Sequence, residues 1–206
     1  SLLNQDVTSK MKVDSDVTDL NNYLEKFALP VSLMQTKENL IRISKELAED
    51  LKAENVIYAE IRFAPLKHLE QGLTPEEVIE TVLEGLKMVD IKTNVILCAM
   101  RGDSDENNKK VVDLTKKYLN KGVCALDLAG AEALFKTKEY KELFDYSSSL
   151  SVPFTIHAGE ADGTESILDA ISFGAKRLGH GVRSEENDET LKKIINNSIT
   201  KECVNY

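Results

Sequence analysis

The chain has 206 residues, 42% apolar and 30% charged, an ordinary composition for a globular protein. Its 26 Lys and Arg stand against 35 Asp and Glu, and the net charge of −9 argues against a partner held through a phosphate backbone. No apolar run approaches the ~20 residues that a membrane-spanning helix needs, and ten Gly with four Pro exclude a collagenous or low-complexity chain.

Residues 1–6 carry neither the basic start nor the apolar stretch of a signal peptide, and the first residue is not Met. The opening to about residue 30 reads as polar and irregular, with a short helix over 20–27. Leu40, Ile43, Leu47 and Leu51 are spaced 3-4-4 and predict an amphipathic helix with that stripe buried, capped by Thr36. Residues 56–63 form the first predicted strand. His68 follows in a polar loop and is expected to be exposed. Thr74, Pro75 and Glu77 have the pattern of a capping box, opening a helix whose buried stripe is Val78, Val82, Leu86 and Val89.

A second strand covers 94–100. The charged stretch 103–110 reads as a solvated loop leading to a helix over 111–119. A third strand over 122–128 is followed by a helix over 138–144, and a fourth strand over 153–157 by a helix over 165–173 that Gly174 terminates. The fifth strand, 177–180, precedes a helix over 189–195. Ile199 and Thr200 read as the start of a further strand, but residues 201–206 break the pattern.

Most of these strands are continuous apolar runs, which suits a parallel sheet covered on both faces. Five strands alternating with helices give an α/β fold, either an open doubly wound sheet or a (β/α)8 barrel. With no repeat or linker, residues 1–206 read as one domain. Three widely spaced cysteines (Cys98, Cys124, Cys203) without a C-x-x-C pair suit a reducing cytoplasm better than a disulfide framework. Cys98 and Cys124 lie in strands and are expected to be buried.

Arg62, Asp127, His157 and His180 fall near the C-terminal ends of their strands, with Glu160 just beyond one, and that edge is where parallel α/β proteins build their sites. In His157-Ala158-Gly159-Glu160 the two small residues permit a sharp turn, so the imidazole and the carboxylate can face one pocket. Such a pair offers a metal ligand and a proton shuttle, although an H-x-x-E alone better suits a histidine bonded to backbone carbonyls and a solvated glutamate. Gly179 and Gly181 flank His180 and allow close approach to its ring. Gly130 follows Asp127, as a tight turn or as a backbone N–H donor to a ligand. Glu60 and Arg62 share one face of their strand, as an ion-pair network inside the sheet would require. No G-x-G-x-x-G, G-x-x-x-x-G-K or G-x-S-x-G sequence is present.

Together, Tyr58-Ala59-Glu60-Ile61-Arg62-Phe63-Ala64-Pro65, Leu126-Asp127-Leu128-Ala129-Gly130-Ala131-Glu132, Thr155-Ile156-His157-Ala158-Gly159-Glu160 and Arg177-Leu178-Gly179-His180-Gly181-Val182 resemble the adenosine deaminase family. The resemblance runs from about Leu20 to Ile199. It implies a (β/α)8 TIM-type barrel represented by strands 2–6 and an enzyme of purine metabolism converting adenosine, and 2′-deoxyadenosine, to inosine and ammonia. It further implies Zn2+ as cofactor and a nucleoside as the small-molecule partner, while charge and the lack of a long apolar run argue for no nucleic-acid or membrane partner. His157 matches a zinc-binding histidine, Glu160 the proton donor to purine N1, His180 the histidine that orients the metal-bound water, and Gly130 a backbone contact to the purine. Zinc in such a site lowers the pKa of its water to about 7.

The family's H-x-H zinc ligands and its T-D-D-P-like aspartate pair are absent, as is the P-C-x-x-C of the cytidine-type deaminases. Five strands and 206 residues are too few to close a barrel of about 250 residues. The chain therefore reads as an incomplete barrel, inactive on its own. Two alternatives are a deaminase of adenine or a modified adenosine and a non-catalytic purine-binding fragment. A nucleotide substrate would call for a basic phosphate clamp, for which only Arg62 and Arg101 offer themselves.

Overall fold

The computed structural model describes residues 11–12 and 20–202, so Cys203 and the irregular ending over 203–206 lie outside the described residues, as do 1–10 and 13–19. The described residues divide into two compact units, one taking those up to Tyr58 with Pro65–Lys92, the other Ala59–Ala64 with those from Thr93 onward.

The first unit is helical. It holds α1 (Leu20–Glu25), α2 (Ala28–Leu33), α3 (Lys37–Ala53), a 3-10 turn over Pro65–Lys67, and α4 (Pro75–Lys87). Thr36 is extended and its hydroxyl accepts from Asn39 N–H at 3.3 Å, which starts α3. The capping box of α4 is formed as its spacing predicts: Thr74 Oγ1 accepts from Glu77 N–H at 3.2 Å, and Glu77 accepts from Thr74 N–H at 2.9 Å. Val78, Val82 and Leu86 are buried along α4, while Val89 lies past its end and is only partly covered.

The stripe expected on α3 is corrected. Leu40, Ser44 and Ala48 are the buried row, and Ile43 and Leu47 are exposed. The cause is close packing: a Cβ on Gly85 of α4 would stand 2.6 Å from Ile41 O and 2.8 Å from Ser44 Cβ. Only small residues fit where two helices come this near, so the contact runs through Ser44 and Gly85 rather than through the larger Ile43 and Leu47. His68 is corrected as well. It is 4% exposed, and its Nδ1 donates to Met34 O at 2.8 Å, since a carbonyl can only accept.

The second unit carries the strands: β1 (Tyr58–Phe63) and β2 (Lys92–Met100), apart from their first residues, with β3 (Val123–Ala129), β4 (Thr155–Ala158), β5 (Arg177–His180) and β6 (Thr200–Glu202). They form two three-stranded sheets ordered β1-β2-β3 and β4-β5-β6, with β2/β3, β4/β5 and β5/β6 parallel. A parallel bridge Leu126↔Phe154 and the bond from Leu126 N–H to Pro153 O at 2.9 Å link the two sheets. The strand start read at Ile199 and Thr200 is thus a sixth strand, one more than the continuous apolar runs reveal. Six strands still fall short of the eight of a (β/α)8 barrel, which is not closed among the described residues.

Helices α5 (Asp105–Tyr118), α6 (Lys141–Ser149), α7 (Thr164–Ser172) and α8 (Asp188–Asn196) occupy the crossovers. Helix α5 starts earlier than expected. Ser104 caps it through Asn107 N–H at 3.2 Å, and Asp105 and Glu106 favour the positive end of the helix, so the charged stretch is helix rather than loop. Val95, Ile96, Leu97, Leu126, Leu128, Ile156 and Leu178 are fully buried, including successive residues of β2, as expected of strands covered on both faces. Cys98 is buried in β2, and Cys124 is half-buried in β3.

Candidate active site

The C-terminal ends of β4 and β5 bring the predicted histidines together. Register pairs His157 with Gly179 and Ala158 with His180. The two imidazoles lie with ring centroids 5.2 Å apart and planes tilted by 54°. A Cβ on Gly179 would stand 3.1 Å from His157 Cγ, so the bare backbone of Gly179 makes room for the His157 ring. That differs from the sequence reading, in which the glycine opens access to His180.

Beyond β4 the chain turns at Gly159, with φ +72. The turn returns Glu160 to the site, where its Oε2 lies 3.5 Å from His180 Nε2. His180 itself has φ +65, followed by Gly181 at φ +64. The left-handed region is costly for a residue with a side chain, and it gathers at functional sites. Gly130 ends β3 at φ +110, next to Arg101, whose guanidinium Nη2 donates to His157 O at 2.7 Å.

Asp127 underlies His157. It is fully buried, and its Oδ2 approaches His157 Nδ1 at 2.8 Å, although the ring N–H is not aligned for a hydrogen bond. Arg62 reaches the same oxygen at 3.3 Å and pairs closely with Glu202. Arg177 continues the network, donating to Glu202 at 2.8 Å and to Glu60 at 2.6 Å. Glu60 and Arg62 thus belong to the ion-pair network that their shared face suggests.

Burial pushes the pKa of His157 down, but the Asp127 charge outweighs it and the net shift is upward. Burial alone would raise Asp127, yet His157 and Arg62 hold its carboxyl below the usual range. For His180 burial prevails over the nearby Glu160, and the imidazole is shifted down.

Whether these residues fit a metal ion is a question of donors. A catalytic zinc takes three protein ligands and keeps one open position. Among the described residues no group of three or more His, Cys, Asp and Glu is arranged to hold an ion. The set therefore does not by itself fit zinc. His157 has one feature of a ligand histidine, a carboxylate against its second nitrogen.

Three participants were not assigned from sequence. Glu202 belongs to a strand too short to show a pattern, and Arg177 sits at a strand start, where no ligand is expected. Glu132 is quoted among the shared motifs, but its partners lie 27 to 34 residues further along the chain, beyond the reach of any local pattern.

A family model described as "Adenosine deaminase" matches residues 3–204. An adenosine deaminase of Haemophilus ducreyi is 43% identical over 198 residues, covering 92% of this chain and 58% of that protein. Another, of Clostridium acetobutylicum, is 41% identical over 203 residues, covering 96% and 60%. The chain thus spans about three fifths of the length of the curated relatives it matches. A Burkholderia ambifaria amidohydrolase solved with bound zinc shares the fold, with a TM-score of 0.84 at 18% identity over 95% of this chain and 55% of that one. The strand-end histidines, the turn at Gly159 and an identity above 40% agree: the chain belongs to the adenosine deaminase family.

Proposed function

We propose that this protein catalyses the hydrolytic deamination of adenosine, and of 2′-deoxyadenosine, to inosine and ammonia in purine salvage. The observation that carries this reading is the convergence of His157, Glu160 and His180 at the C-terminal ends of two adjacent parallel strands. Glu160 is the general acid, protonating purine N1 so that C6 becomes electrophilic. His180, beside that carboxylate, orients the attacking water and helps take its proton. Gly130 contacts the purine through its backbone. His157 is one ligand of a zinc ion: with Nδ1 against Asp127, Nε2 is the nitrogen left for a metal. No other ligand is assigned to this chain.

The arginines favour a nucleoside over a nucleotide. Arg101 is buried and committed to Phe135 O, Thr137 Oγ1 and His157 O, and Arg62 to Asp127 and Glu202, so neither offers itself as a phosphate clamp. The substrate is a small molecule, and the net charge of −9 supports no nucleic-acid partner. No helix among the described residues is long and apolar enough to cross a membrane. The three scattered cysteines support a cytoplasmic setting.

The test is turnover and metal content of the full-length gene product, followed by the absorbance change from adenosine to inosine. We expect about one zinc per chain and a fall in kcat of roughly 10²–10⁴-fold in Glu160→Gln with the metal retained. Wild-type turnover in that variant, or a protein that leaves adenosine untouched and deaminates a related purine, would sink the reading.

A further inference from the structure

The segment that carries His157 and Glu160 is held by two buried charges of opposite sign. On one side Arg101, 6% exposed, donates through Nη2 to the His157 carbonyl at 2.7 Å. On the other, Glu132 is 1% exposed and gathers every amide of the turn. Its Oε1 accepts from Gly159 N–H at 2.6 Å, and its Oε2 from Glu160, Ala161 and Asp162 N–H at 3.0, 2.8 and 3.2 Å. The polarity matches, a cation on a carbonyl and an anion on four N–H groups. Bonds to ionised partners are the stronger class.

The two charges are also joined to each other. Arg101 Nη2 donates to Thr137 Oγ1 at 2.9 Å, Thr137 and Ser166 share a hydrogen bond at 2.6 Å, and Ser166 Oγ bonds to Glu132 Oε1. An ionised carboxylate only accepts, so Ser166 spends its proton on Glu132 and must accept from Thr137. Thr137 in turn accepts from Arg101. The protons run in one sense from guanidinium to carboxylate, closing a loop around residues 157–160.

We propose that Glu132 is the positioning residue for Glu160. Its carboxylate fixes the turn over residues 159–162 so that the Glu160 side chain is delivered beside His180, and Ser166 and Thr137 tie that turn to the strand end holding His157. The role rests on Glu160 as proton donor. It requires a carboxylate, because a glutamine would replace one of the two accepting oxygens by an NH2 group facing a backbone N–H.

Two measurements on the full-length protein test it. In the first, Glu132→Gln is expected to lower kcat by roughly 10²-fold, as a misplaced catalytic group does, with KM changed far less. Combined with Glu160→Gln, it should cost almost nothing more, since a residue acting through Glu160 has nothing left to position. Unchanged kcat, or losses that multiply in the double variant, would overturn the proposal. Should Glu132→Gln not fold, Ser166→Ala serves: it removes one donor to Glu132 and leaves the four amides. Its smaller loss must likewise vanish in the Glu160→Gln background, and a loss that persists there overturns the proposal. The second measurement is amide hydrogen exchange in Glu132→Asp or Ser166→Ala. Faster exchange over 159–162, with β2 and β3 unaffected, supports the proposal, and unchanged exchange there overturns it. A wild-type protein without adenosine turnover would refute the function reading, and the exchange result, which needs no substrate, would then decide on Glu132 alone.

Discussion

At the scale of single residues, His68 shows what a sequence pattern leaves out. Its polar neighbours suggest an exposed loop, yet the ring is buried and bonded to Met34 O. The partner lies 34 residues away, and no local signal marks it. Burial lowers its pKa below the ordinary 6.5 despite the bond to Met34. A histidine kept neutral when folded, but free to take a proton when unfolded, stabilises the fold fully above the unfolded pKa and loses that contribution as pH falls through the folded one. Urea unfolding of wild type and His68→Gln at pH 8 and pH 5 should therefore show the larger loss of stability in wild type. Equal pH dependence in both would refute this. His157 and Glu160, by contrast, were legible, because the small residues between them announce a turn. Asp127 was legible in place but not in purpose, since only the folded register sets it against His157.

At the scale of elements, capping chemistry was the most readable feature. Thr36 and Thr74 each do what their position suggests, because a cap is decided within four residues. Helix faces were less readable. Hydrophobicity placed Ile43 and Leu47 inward, but the close approach of α3 and α4 selects the smallest side chains instead. Gly85→Ala tests that approach directly. Alanine gains about 1 kcal/mol in helix propensity, yet the added methyl meets Ile41 O at 2.6 Å and Ser44 Cβ at 2.8 Å, and overpacking costs about 1–3 kcal/mol. We expect a net loss in urea unfolding. A stabilised variant would mean that α3 and α4 separate freely.

At the scale of the whole molecule, the alternation of strand and helix gave the α/β class and the shortfall from a full barrel, because periodicity survives without knowledge of partners. β6 is barely marked in the sequence, since three residues hold too little pattern. Its Glu202 matters through charge, taking both Arg62 and Arg177. The alternating series Glu60, Arg177, Glu202, Arg62, Asp127 links β1 to β3, β5 and β6 through side chains. Arg62→Met would leave the fully buried Asp127 with His157 as its remaining close partner, and a broken buried pair costs about 3–5 kcal/mol. Adding Asp127→Asn should recover part of that loss in chemical denaturation, and failure to recover any would show that Arg62 acts by packing alone.

The left-handed pair His180 and Gly181 also governs alignment between strands. Gly181 N–H returns to Ala158 O at 3.0 Å, directly after the last paired residues of β4 and β5. A slip of β5 by one residue would turn each of its side chains to the opposite face. In one of its two directions the same slip would carry Val182, β-branched and ill suited to positive φ, into the place of Gly181. The reversal therefore resists slippage of β5 in that direction, and with it a change in which way the last residue of β5 points.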